Sequence, residues 1–187
     1  MKKTTLLFGL VAALGITGLY AQDVSTLSHN VSISIPVIAI LDIESTAGAN
    51  VAFDLNASGL EAGAEFIIDE ENSDLWINYT SIVPAVANTR TITVHSDDVP
   101  SITGLTLKVV ASAHAGTGGG SVGTPTAMVQ PSAVPTDLIT GIGSAFTGNG
   151  NSNGHNLTYH LDFDGDFADL NVEDAFMTIN MTYTITD

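Results

Sequence analysis

Residues 162–169 read DFDGDFAD, and half of them are carboxylates. Asp162, Asp164 and Asp166 fall on every second position around Gly165, and Asp169 follows. Oxygen ligands at that spacing beside a glycine turn suit Ca2+, a hard cation that gathers six to eight oxygens. The glycine stands too early for an EF-hand loop, and Phe163 and Phe167 interrupt the ligand run. Glu173 and Asp174 would join only if the chain folds back. The simpler reading is an Asp164-Gly165 turn that ends a strand, its carboxylates in water.

The other chemical signals are weaker. Gly118 to Gly123, GGGSVG, fits both the dinucleotide pattern GxGxxG and the nucleophile pattern GxSxG. Each needs a strand–turn–helix context, but Pro125, Pro131 and Pro135 follow and no helical pattern does, so these read as loop glycines. Five histidines form no zinc pair. His160 and Asp162 share the outer face of one predicted strand, with no third group placed beside them. Trp76, the lone tryptophan, is expected as a core anchor. With no nucleophile–base pair or metal cage, the chain is not expected to be an enzyme.

Charge narrows the partners. Residues 1–21 read as a signal peptide: Lys2 and Lys3, an apolar run from Leu6 to Ile16, and small residues leading to cleavage after Ala21. The remaining 166 or so residues, 22–187, then make one exported domain. They hold two fixed cations, Arg90 and Lys108, against 20 carboxylates, a formal charge of −18. Nucleic acid is excluded as a partner because phosphate contacts need Lys and Arg. No second apolar run is long enough for membrane insertion, and with no cysteine there are no disulfides and no lipoprotein anchor.

The elements that must position these residues are strands. Alternating or β-branched stretches recur over 30–43, 50–55, 64–68, 73–82, 89–96, 104–113, 137–146, 156–163 and 175–186. Gly, Pro, Asn and Ser separate them. The pattern predicts an all-β fold, an immunoglobulin-like β-sandwich with Greek-key connections and about 7–9 strands. Residues 114–136 and 147–155 are expected as Gly-rich loops without a strand of their own, and the acidic run 61–74 as a solvated loop flank.

The first stretch, SHNVSISIPVIAILDI, is the most consequential. Val31, Ile33, Ile35, Val37, Ala39, Leu41 and Ile43 share one face. Burying the five largest of the first six would yield about 8–15 kcal/mol gross, so this face must be covered. Pro36 breaks the ladder at one point. Either the strand is the first of the chain's own sandwich, or residues 22–35 form a donor strand that pairs with a neighbouring subunit.

In pattern the mature chain resembles bacterial pilin-like subunits of the chaperone–usher and spore-coat-U-like kind. The stretches that carry the likeness are VSISIPVIAIL, ITGIGSAFTGNG and the Tyr183-containing terminal strand TINMTYTIT. The chain departs from that pattern in having no cysteine pair and no glycine in register before Tyr183. The resemblance implies an exported structural or surface subunit, pilus- or filament-like, assembling as a homo-oligomer by strand exchange, with Val31, Ile33 and Ile35 as donor residues. The alternative is a Ca2+-dependent adhesion or carbohydrate-binding module, using Asp162, Asp164, Asp166 and Asp169 and engaging a surface glycan or protein receptor. Either belongs outside the cell, at the bacterial surface.

Overall fold

A computed structural model describes residues 26–85, 88–98, 100, 102–170 and 177–186. The expected signal peptide, Glu173 and Asp174 lie outside these residues. The chain divides into two units, 1–34 and 35–187. The described part of the first, 26–34, carries neither helix nor strand.

Among the described residues, the second unit holds eight strands, all paired antiparallel. They are β1 Ile38–Glu44, β2 Asp69–Ile82, β3 Arg90–His95, β4 Leu105–Ala111, β5 Gly119–Pro125, β6 Thr136–Phe146, β7 His155–Phe163 and β8 Thr182–Thr186. One 3-10 turn, Phe167–Asp169, is the only helical element among the described residues. The strands join into one hydrogen-bonded sheet in the order β4-β7-β2-β6-β3-β8, with β1 added to β2 and β5 to β6. The all-β expectation therefore holds.

The long strand β2 is the hub. Its first part, from Asp69 to Ile77, pairs with β7, while its second, from Trp76 to Ile82, pairs with β1. Thr80 and Ser81 also reach Phe146 and Ala145 of β6. Side-chain alternation then sets the core. Leu75, Ile77 and Tyr79 of β2 pack with Ile92 and Val94 of β3, Val109 of β4, Leu138, Ile139 and Ile142 of β6, and Leu157 and Tyr159 of β7. The hydroxyls of Tyr159 and Tyr183 meet at 2.6 Å. Their strands, β7 and β8, are separated in the sheet order by β2, β6 and β3. The sheet must therefore bend round its core for its two ends to face one another.

Several expectations are corrected. Segments 50–55 and 64–68 form no strand, although Val51, Phe53 and Leu55 still pack on the core edges. Asp69, Glu70, Glu71 and Asp74 are not a loop flank but the exposed start of β2, whose ladder with β7 begins at Asp69. The Gly-rich run 114–136 contains β5, held on β6 from Gly119↔Phe146 to Pro125↔Ile139. Its lack of alternation hid it: glycines let the backbone lie close to β6 without side chains. Trp76 belongs to neither core cluster, because period two puts it opposite Leu75 and Ile77. The terminal strand is shorter than expected, running from Thr182, although Met177 and Met181 still pack inward.

The two Gly-rich runs are stapled together. Ala115 and Gly154 exchange backbone hydrogen bonds of 2.8 and 3.1 Å, and the Thr117 N–H donates to Asn153 Oδ1 at 2.9 Å. Gly154 has a φ of +80°, and a Cβ there would stand 2.2 Å from the Ile77 carbonyl oxygen. Gly154→Ala should therefore destabilise the fold by about 2–4 kcal/mol, through left-handed strain and a backbone collision. Urea unfolding with an unchanged m-value would register this as a lower midpoint.

Candidate functional site

The ladder of β1 starts at Ile38, and residues 26–37 ahead of it form no strand. The apolar side chains there are exposed: Val31 by 73%, Ile33 by 85% and Ile35 by 73%. Leu27 and Val37 have the same parity and are also exposed. Leu41 and Ile43, further along the same face, pack against the core. One alternating face is thus half used within the chain and half bare. Pro36 lies at the change-over, where its missing N–H cannot join a ladder.

Arg90 fixes the start of β1. It is the first residue of β3, yet it is only 3% exposed. Its Nη1 donates to the Ile38 carbonyl, to Ser81 Oγ at 3.2 Å and to the Ile82 carbonyl at 3.5 Å. Ile38 and Ile82 are the terminal partners of the β1–β2 ladder. A guanidinium presents several donors in a rigid fork, which lets one side chain hold several acceptors at once. The fork closes the ladder at the residue where the bare segment ends. Sequence reasoning passed over this role, although a lone arginine in so acidic a chain was a visible signal.

The four aspartates are not gathered. Asp162, on β7, accepts from Lys108 Nζ of β4 at 2.9 Å. Its ladder partner on β2 is Asp69, a like charge directly opposite. The hydrogen bond to Asp162, then its charge, raises the Lys108 pKa. Asp166 instead caps the 3-10 turn, accepting from the Ala168 N–H at 3.0 Å, and the Asp169 N–H donates to the Asp166 carbonyl. Asp164 spends its N–H on the Gly104 carbonyl. Among the described residues, no three His, Cys, Asp or Glu side chains are grouped to hold a metal. His160 faces Glu71 across the β2–β7 ladder at 2.8 Å. All of GGGSVG but Gly118 lies on β5, and the next element is the strand β6.

A buried polar cluster was also missed. His155, fully buried at the start of β7, has Nδ1 2.8 Å from the Ser112 carbonyl and Nε2 3.0 Å from the Tyr79 hydroxyl. That hydroxyl donates in turn to the Val122 carbonyl of β5. The His114 ring meets the His155 ring edge-on at 5.8 Å, and its Nε2 lies 3.2 Å from the Thr147 carbonyl. Burial pushes the Tyr79 hydroxyl far above the ordinary tyrosine range. Burial, with a smaller contribution from His114, also holds the His155 imidazole below its usual 6.5.

No family model, curated protein or solved structure matches this chain.

Removing the Arg90 fork should loosen the β1 root. Arg90→Met keeps the stem but strands the acceptors on Ile38, Ser81 and Ile82. A loss of about 3 kcal/mol is expected, given the cost of unpaired buried acceptors and lost charge-assisted bonds. Hydrogen exchange of the β1 amides should speed up more than that of β6.

Proposed function

We propose that the protein is an exported structural subunit of the bacterial surface, assembling into filaments by β-strand addition. On this reading the fold is an immunoglobulin-like sandwich, and residues 22–35 of one copy complete the sheet of the next. The observation that carries it is the exposed row Val31, Ile33 and Ile35, just ahead of a β1 whose Leu41 and Ile43, of the same parity, pack on the chain's own core. A two-faced segment of this kind satisfies what strand addition requires: backbone groups for the ladder and alternate side chains for the neighbour's interior.

Charge supports the same reading. None of the 20 carboxylates falls between Asp23 and Asp42. Copies of a strongly acidic chain repel one another, so a self-association segment has to be uncharged. Covering Val31, Ile33 and Ile35 is worth about 5–9 kcal/mol gross before ordering costs. That is enough to drive association of copies and too much to leave in water. The depression formed by Pro100, Leu107, Pro131, Ile179 and Met181 encloses only about 20 Å3, room for roughly one water molecule. It offers no seat for a small substrate.

Light-scattering mass of the mature protein, beside a form lacking residues 22–35, tests the reading. The full-length protein is expected to form a ladder of oligomers. The truncated form should be a folded monomer that binds a VSISIP-containing peptide, and Ile33→Asp should abolish the ladder while leaving the melting temperature within about 2 °C. A monomeric full-length protein together with an unfolded truncation would show that the strand serves its own chain, and would overturn the proposal.

A further inference from the structure

The chain of contacts through His155 is short of protons. Ser112 and Val122 offer only carbonyl oxygens, which accept. Between them lie three heavy-atom contacts: Ser112 carbonyl to Nδ1, Nε2 to the Tyr79 hydroxyl, and that hydroxyl to the Val122 carbonyl. Each contact needs one proton. A neutral imidazole and a neutral phenol bring two. With the Nδ1–H tautomer, the Tyr79 O–H must choose between Nε2 and Val122. With the Nε2–H tautomer, Nδ1 meets the Ser112 carbonyl lone pair against lone pair. Only the imidazolium fills all three contacts, donating from Nδ1 to Ser112 and from Nε2 to Tyr79, which itself donates to Val122.

We propose that the Ser112–His155–Tyr79–Val122 chain is a buried proton-binding site, occupied in the folded protein in mildly acidic medium, and that it makes the joint between β5 and the body of the sheet acid-responsive.

The groups around the imidazole set the direction of that response. β2 presents the Tyr79 hydroxyl, the segment after β4 presents the Ser112 carbonyl and the His114 ring, and β5 presents only the Val122 carbonyl. The charged group acting on His155 is His114, and its effect opposes a second positive charge. The hydrogen-bond chain therefore accommodates the proton, while burial makes it costly. His155 binds its proton less readily folded than unfolded. Its contribution to stability is full above about pH 6.5 and is lost as the pH falls through the lower folded value. Opening of β5, an edge strand paired to β6, returns His155 to water and to its ordinary proton affinity, so acid favours that opening even though the closed cluster can hold the proton.

Two measurements on the full mature chain test this. Imidazole NMR shifts followed from pH 7.5 to 4.5 should show His155 titrating within the folded protein, with a midpoint below 6.5. Amide exchange across β5, corrected for intrinsic rates, should accelerate several-fold through that same midpoint while β3 does not change. Tyr79→Phe, which removes the acceptor for Nε2–H, should lower the midpoint further, by roughly 0.5–1 pH unit, the worth of one hydrogen bond. A His155 that stays neutral to pH 4.5, a midpoint at or above 6.5, or β5 exchange that ignores the titration would each overturn the proposal. The wild-type measurements decide it even if the Tyr79 variant does not fold.

Discussion

The guanidinium of Arg90 holds the point from which the rest of this architecture is set. It gathers the Ile38 and Ile82 carbonyls and the Ser81 hydroxyl, so it pins the open end of the β1–β2 ladder from the first residue of β3. β2 in turn reaches β7 along one part of its length and β6 along another. A chain with two fixed cations outside its first few residues has placed one of them, almost fully buried, where three strands meet. Desolvating a cation costs several kcal/mol unless its hydrogen bonds are made, so the position tolerates little change. The other cation, Lys108, stays partly exposed on β4 and pairs with Asp162 of β7.

Around that root, a chain with no cysteine ties its strands together through buried polar contacts instead of disulfides. Thr147 donates its N–H to the Tyr79 carbonyl and accepts the Tyr79 N–H on its hydroxyl, continuing the β2–β6 pairing past the end of β6. His155, Tyr79 and Asn78 then tie β7 and the Gly-rich runs to the same stretch of β2. Such networks are stabilising only when satisfied together. The residues that could staple the fold most rigidly are also the ones that respond to protons.

How much of this was legible follows from where each signal resides. Strand alternation is local, so β3, β4, β6 and β7 could be placed to within a residue or two. Leu157 and Tyr159, opposite in parity to the outward His160 and Asp162, are buried. β5 was illegible because its glycines carry no side-chain pattern, and its partner β6 supplies the reason for the strand. Trp76 was assigned by type, whereas its parity relative to Leu75 and Ile77 already placed it on the opposite face. Segments 50–55 and 64–68 had the alternation but found no ladder, since pairing depends on a neighbour far along the chain. Arg90 and His155 lie beyond local reading: their partners stand 43 to 76 residues away for His155 and 52 away for Arg90 at Ile38. The four aspartates show how a local spacing leaves partners open: the Asp162 carboxylate meets Lys108 from another strand, and the Asp166 carboxylate caps its own turn.

The first alternating stretch unites these observations. Its odd face is continuous in sequence from Val31 to Ile43, yet the structure divides it at Pro36 and Arg90: beyond them Leu41 and Ile43 enter the core, before them the apolar row is exposed. The odd parity runs on in sequence through Pro36, but the ladder does not: pairing starts at Ile38, and residues 26–37 form no strand. On the proposed reading, Val31, Ile33 and Ile35 would complete the sheet of another copy, and the Arg90 contact at Ile38 would hold the root of that segment.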